Sequence, residues 1–423
     1  MTDLSSENQF LTRFSRIIGL DIAYFLKSGS IVSFRYVAIS LFGILLSIGF
    51  ARLGSKEIFG QYQAILAVFG ILSIFSLPGL NMAALKSVAS GNDRAVIQAV
   101  KLSFLGALIG IPVLACYAAY SFFITRDISF VQAVLFGSVL FPFFYAMNTW
   151  YVFYEGRSQF FSVAWRTVVL NGVVTASLLT ALFLQANLVA LLLLFLGIFT
   201  LANSLFFFEV FKKVRSVPWD GRGDILDLRY GFLVSLQKFL FSLAENLPVL
   251  LISFVFGFEM LAVFQIAFFF ITAVSGFLSG LSATYLPQLF RYAKLSNGRI
   301  IVQHLGIGVL LFVCFRVGVE WFFLPLYGES YRESFLIVKD FSFLILFLPI
   351  KTFLLNFFTV KNKNVFIMLV FLLANMLSAI VLFLTHDMSF SASVTWYLYV
   401  LNGALIIPLI LSYAYREIFL KRL

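Results

Sequence analysis

The chain has 423 residues, of which 61% are hydrophobic and only 12% charged, and its mean hydropathy is +1.01. A water-soluble domain could not cover itself with so few polar residues, so composition excludes a soluble globular protein. The formal net charge of +11 reads as a topology signal rather than a nucleic-acid-binding surface, because the basic residues sit in the short segments between apolar runs.

In chain order, the first 28 residues lack the charged start, apolar core and small-residue site of a cleavable signal peptide. They read instead as an interfacial amphipathic helix over about 8–27, with Phe10, Phe14, Ile17 and Ile18 opposite Arg13 and Arg16. Twelve apolar spans follow, near 30–51, 61–80, 96–124, 130–153, 163–184, 187–211, 230–256, 260–285, 301–325, 335–359, 364–385 and 392–415. Each is long enough to cross a bilayer as a helix. The runs are continuous rather than alternating, which argues against a β-barrel. Proline and glycine at Pro78-Gly79, Pro112, Pro142, Pro248, Pro325 and Pro349 predict bends. Cys116 and Cys314 lie inside apolar runs and are expected to pack there.

Of the 30 Lys and Arg residues, 21 fall at the N-terminus, at the C-terminus and in the loops on their side, while five fall on the opposite side. The positive-inside rule then places both termini in the cytoplasm.

The sequence also resembles itself. LKSGSIVSF at 26–34 aligns with LRYGFLVSL at 228–236 at an offset of 202, and the same offset pairs Glu57 with Glu259 and Gln63 with Gln265. An offset of 204 aligns Arg157 with Lys361 and Asn171 with Asn375. The expectation is an all-α fold of two six-helix bundles, residues 1–216 and 217–423. Six spans return the chain to its starting side, so the bundles are related by a pseudo-two-fold axis along the membrane normal and enclose a site between them.

Four cations remain within the spans: Arg35, Lys238, Arg316 and Lys351, with Glu245 and Glu320 as acids at depth. A cation at mid-membrane costs roughly 2.5–3.5 kcal/mol on the insertion scale. Arg35 and Lys238 come within one residue of repeat equivalence, which would set them facing each other across the axis. Such a cationic cavity would hold an anion, with Arg and Lys gripping phosphate. Simpler readings stand beside this one: snorkelling for the cations, an i,i+4 pair for Arg316 with Glu320, and a local ion pair of Glu245 with Lys238. Glu245 is the candidate for a coupling group that takes H+ or Na+; no other cofactor is expected. Asn148, Asn171 and Asn375 are candidate sugar contacts, and most of the 55 Phe are read as packing or lipid-facing.

There is no GxxxxGK[ST] loop, and His304 and His386 stand alone, so the residues show no ATPase loop, metal centre or triad. The outer loops are too short and too poor in carboxylates for a glycan polymerase or transferase.

The segment ARLGSKEIFGQYQAILAVFGILSIFSLPGLNMAALKSVA at 51–89, with Gly54, Glu57, Gly60 and Tyr62, resembles the first hairpin of the polysaccharide translocases in the MOP exporter superfamily. EGRSQF at 155–160 fits the same pattern, and Glu259, Ala262 and Phe264 form a degraded second copy. With twelve spans the chain is most similar to the O-antigen (Wzx-type) flippases. The resemblance implies a MATE-like fold and a bacterial inner-membrane location. Its implied activity is translocation of an undecaprenyl-pyrophosphate-linked oligosaccharide to the periplasmic leaflet, beside a polysaccharide polymerase and chain-length machinery. A cation-coupled multidrug exporter of the same superfamily is the alternative; those proteins rely on membrane acids, whereas the charges at depth here are mainly basic.

Overall fold

The computed structural model describes residues 22–215, 226–291, 298–361 and 363–415. The side chains of the expected amphipathic segment 8–27 lie outside the described residues. The helices are α1 (Ile22–Leu53), α2 (Lys56–Leu72), α3 (Leu80–Ala89), α4 (Ala95–Ala107), α5 (Gly110–Thr125), α6 (Ile128–Met147), α7 (Trp150–Gly156) and α8 (Phe160–Phe183). Then come α9 (Leu188–Arg215), α10 (Leu228–Arg291), α11 (Gly298–Tyr327), α12 (Arg332–Phe341), α13 (Leu348–Val360), α14 (Asn364–Leu384) and α15 (Phe390–Ala414).

Among the described residues eleven helical stretches are long and apolar enough to span a membrane, and one of them, Leu228–Gly276, runs for 49 residues. A helix of that length would reach about 74 Å at 1.5 Å per residue, more than twice the ~30 Å hydrocarbon layer. It is broken at Gly257, whose φ of 84° belongs to the region glycine favours. Counting the two arms separately recovers the twelve expected spans. In the first half the corresponding break falls between α1 and α2, where the Ser55 Oγ accepts the Ile58 N–H at 3.2 Å and caps α2. Ser55 and Gly257 are 202 residues apart, the offset of the internal repeat. One turn is thus built from a capping side chain and the other from a glycine.

The repeat is visible in packing. Helix α10 runs antiparallel to the segment 60–79 at close contact: a Cβ on Gly60 would meet the backbone carbonyl of Phe258, just past the break, one on Gly70 the Asn246 side-chain amide, and one on Gly79, just before α3, the Gly231 carbonyl. Small residues allow this approach, as expected where lipid-phase helices associate through close packing. The Ser242 hydroxyl donates to the Gly70 carbonyl at 2.7 Å, and the Gly79 N–H donates to the Ser235 hydroxyl at 2.8 Å. Ser40, the repeat partner of Ser242, lies on α1 against Gly276 in the second arm of α10. The contact of span two with span seven is therefore mirrored by that of span one with span eight, as a two-fold axis requires.

One apolar core runs through both halves, from Phe50, Phe59, Tyr62 and Phe69 to Phe264, Phe323, Tyr327 and Tyr397. Smaller clusters sit around Trp150 and Tyr154 and around Phe353 and Tyr413. At the α1–α2 turn the halves are also tied by polar contacts. The Arg52 guanidinium donates to the Leu326 carbonyl at 2.8 Å and to that of Pro325, satisfying carbonyls at the C-terminal end of α11. Ser47 and Tyr327 share a 2.7 Å hydroxyl bond, and the Lys56 ammonium sits 5.1 Å over the Tyr331 ring. Cys116 and Cys314 are exposed on the outer surface rather than packed in the core, because each falls on the side of its helix turned away from the bundle.

Candidate functional site

A chamber of about 620 Å³ lies between the two arms of α10 and helices α12, α13, α14 and α15, so its lining falls within the second half and not between the two bundles as expected from the repeat. Its volume is within the roughly 300–1,000 Å³ typical of small-molecule sites. Lys351, Glu245, Asn356, Asn375, Asn402 and Thr272 supply its polar wall, and Phe268, Phe341 and Phe371 part of its apolar one. Lys351 projects from α13 and donates to the Asn402 Oδ1 at 3.3 Å. Asn402 is held for this by its own helix, since its amide nitrogen donates to the Leu398 carbonyl at 2.9 Å. Asn375 is fixed in the same way, its Nδ2 donating to the Phe371 carbonyl at 2.8 Å. Its Oδ1, like the Asn356 Nδ2, is buried without a hydrogen-bond partner among the described residues. Unsatisfied buried polar atoms are rare, and those that line a cavity mark where a ligand's polar groups can go.

Glu245 and Lys351 lie within electrostatic reach of each other but do not form a contact ion pair. Opposite charges held apart at membrane depth leave space for a polar group to sit between or against them.

Through Glu245, Phe268 and Thr272 the chamber adjoins a second cavity of about 200 Å³ at the seam of the two halves. Its wall includes Gln63 from α2 and Gln265 from α10, the repeat-related pair, together with Asn246 and Phe269.

The four cations expected to share one cavity are dispersed. Lys351 lines the chamber. The Arg35 guanidinium is 3.0 Å from the Glu155 carboxylate of α7 and stacks 5.3 Å from the Tyr36 ring; its counter-ion in this state is supplied by the protein. Lys238 donates to the Pro78 carbonyl at 3.1 Å, where the break before α3 frees a backbone acceptor. The i,i+4 pair of Arg316 with Glu320 is not formed. Arg316 donates to the Lys339 carbonyl at 2.6 Å and to the Ser342 hydroxyl at 3.1 Å, while Glu320 pairs with Lys339 at 3.5 Å. Helix α12 crosses α11 at this point and offers both residues better partners than each other. Glu245 likewise faces Lys351 across the chamber rather than Lys238 along its own helix. Asn171 bonds its own helix through the Thr167 carbonyl at 2.8 Å, and Asn148 is exposed after the end of α6. Of the three expected sugar contacts, Asn375 alone lines the chamber. Arg157 and Arg166, two further cations of the first half, are tied to Asp93 and Glu209.

Asn356 and Asn402 were not singled out from sequence, although polar residues inside spans ten and twelve carried the signal.

The Arg35–Glu155 contact has a direct test. Both side chains are largely buried, so Arg35→Ala strands a carboxylate and is expected to lower stability by roughly 1.5–3 kcal/mol, the range for hydrogen bonds to charged groups. Adding Glu155→Gln should recover most of the loss. Thermal unfolding of the four members of the cycle in detergent checks this, and additive losses would show that the two residues act independently.

The fold is that of a polytopic all-α membrane protein. Neither a family model nor a curated relative matches the chain. Solved structures do. The inward-facing form of a multidrug resistance MATE family transporter of the MOP superfamily superposes with a TM-score of 0.69 at 14% identity, over 91% of this chain and 96% of that one. The lipid II flippase MurJ in an inward closed conformation gives 0.60 at 16% identity, over 91% and 87%. A MOP superfamily transporter from Pyrococcus furiosus, described by a binding pocket of reverse polarity, gives 0.59 at 10% identity, over 94% and 96%. The chain shares the fold of these proteins.

Proposed function

We propose that the protein is a flippase that moves an undecaprenyl-pyrophosphate-linked oligosaccharide from the cytoplasmic to the periplasmic leaflet of the bacterial inner membrane. The observation that carries this reading is the Lys351 ammonium in a chamber of about 620 Å³ whose remaining polar wall is mainly amide and hydroxyl. An ammonium holds a pyrophosphate or an acidic sugar as a point charge, and amides hydrogen-bond saccharide hydroxyls. The shared fold with a lipid II flippase supports a lipid-linked cargo.

Residues 1–216 and 217–423 act as the two rocking bodies of an alternating-access cycle, with both termini in the cytoplasm. The polar ties of Arg52, Ser47 and Lys56 close the end that the charge distribution assigns to the periplasm. The lipid tail stays in the bilayer while the sugars cross along the seam between the halves, from which the chamber opens. Glu245 is the group that takes a coupling H+ or Na+. A polysaccharide polymerase and its chain-length partners receive the product.

Deleting the gene from its host and weighing the lipid extract by mass spectrometry tests the reading. A lipid-linked oligosaccharide should accumulate several-fold and disappear on complementation; an unchanged lipid pool would overturn it. The second reading, a cation-coupled exporter of organic cations, draws on Glu245 beside Phe268 and Phe269, since a carboxylate with aromatic faces suits a cationic amine. Increased drug susceptibility of the same strain with an unchanged lipid pool would favour it.

A further inference from the structure

The smaller cavity at the seam has its own chemistry. Gln63 and Gln265 enter it from opposite halves, and Gln265 is buried to 6% exposure. Among the described residues, neither glutamine amide has a hydrogen-bond partner. Asn246 spends its amide nitrogen on the Ser242 carbonyl at 2.8 Å and hydroxyl at 3.2 Å, so its Oδ1 is left as the free end. Glu245 and Thr272 complete the polar side, and Phe268 and Phe269 form part of the apolar side.

The ligand class follows by elimination. Each glutamine presents both a two-hydrogen donor and an acceptor. A bare cation would satisfy the oxygens and leave the NH2 groups facing it. A phosphate or carboxylate would satisfy the NH2 groups and be repelled by Glu245. Hydroxyl groups donate and accept, and so can satisfy amides and carboxylate together. Aromatic rings beside such a set suit a ligand with an apolar face and a polar edge. A pyranose ring has both.

We infer that the cavity lined by Gln63, Gln265, Asn246 and Glu245 is a saccharide subsite that reads hydroxyl groups of the cargo, while any acidic group lies at the Lys351 end of the larger chamber. This deepens the flippase reading and rests on it for the identity of the cargo, though not for the presence of the subsite. Since the two glutamines belong to different repeats, a sugar bound there bridges the halves in this conformation.

The test is saturation-transfer NMR on the full chain in lipid nanodiscs. Glucose, galactose, N-acetylglucosamine and rhamnose serve as free-sugar probes, with sodium pyrophosphate and tetraphenylphosphonium as competitors. At least one sugar should receive saturation from the protein, and pyrophosphate should not displace it. Gln63→Met and Gln265→Met should each weaken that sugar about 3- to 10-fold, the loss of one neutral hydrogen bond. The glutamines lie on separate helices, so if one variant fails to fold the other decides. The inference is overturned if none of the four sugars binds or if the folded variants bind as the wild type does. It is equally overturned if tetraphenylphosphonium occupies the cavity in a Glu245-dependent manner while the sugars do not. The deletion strain separates the two readings. Sugar binding without lipid accumulation sinks the flippase and keeps the subsite, whereas accumulation without sugar binding does the reverse.

Discussion

Lys351→Ala is expected to reduce transport at least tenfold while leaving the protein in the membrane fraction. Lys351 is the cation of the four at depth that lines the chamber, and its ammonium is held by Asn402 rather than by a contact carboxylate. Removing it takes away the chamber's positive charge and leaves Glu245 to repel an anionic cargo. A tenfold effect corresponds to about 1.4 kcal/mol of lost interaction, a modest requirement for a charge in a low-dielectric site. The structural cost is limited, because Asn402 Oδ1 faces a chamber that water can enter. Lys351→Arg keeps the charge and should retain part of the activity. A purely structural role is separated by thermal unfolding in detergent. If the lysine only neutralises Glu245, Lys351→Ala lowers stability and adding Glu245→Gln restores it; if it holds cargo, Lys351→Ala loses transport with stability little changed. Accumulated lipid-linked oligosaccharide, measured against an immunoblot of the membrane fraction, reads out transport.

Gly60→Ala is expected to cost the most stability of any single methyl group added to the α2–α10 seam. The new Cβ would lie 1.8 Å from the Phe258 carbonyl oxygen, a backbone atom that cannot rotate away. Overpacking of this kind typically costs 1–3 kcal/mol, occasionally more. Phe258 directly follows the break at Gly257, so relief requires the break to shift or α2 to separate from α10. Either outcome disturbs the seam that Gln63 lines about one turn beyond Gly60 and Gln265 about two turns beyond Phe258. Thermal unfolding in detergent should show a clear drop, while Gly43→Ala, where a Cβ meets nothing within 4 Å, should be close to neutral. Equal stability of the two variants would refute the close approach.

The Gly60 contact also illustrates how unevenly the sequence speaks. Gly60 belongs to the hairpin that carried the family resemblance, and its repeat partner Ala262 already shows that a methyl group is tolerated at the equivalent position. What Gly60 touches could not be read, because Phe258 is almost 200 residues away and comes near only when spans two and seven pair. The same holds for Arg35. Its depth in span one was legible from hydropathy, but Glu155 sits in a short helix of the first half that no periodicity connects to it. Arg316 and Glu320 fit the helical i,i+4 spacing and still took other partners, since the end of α12 brought the Lys339 carbonyl, the Ser342 hydroxyl and the Lys339 ammonium to them.

By itself the sequence determined the helical class, the twelve crossings, the break between paired arms and the internal repeat. These depend on hydrophobic length, on turn residues and on similarity at a fixed offset, all of which are properties of one chain in one dimension. Only the tertiary structure decided which buried charges are spent on protein partners and which face the chamber. A charge at depth is satisfied by whatever neighbouring helices present. That choice rests on helix rotation and crossing, which apolar stretches of nearly uniform hydrophobicity do not encode.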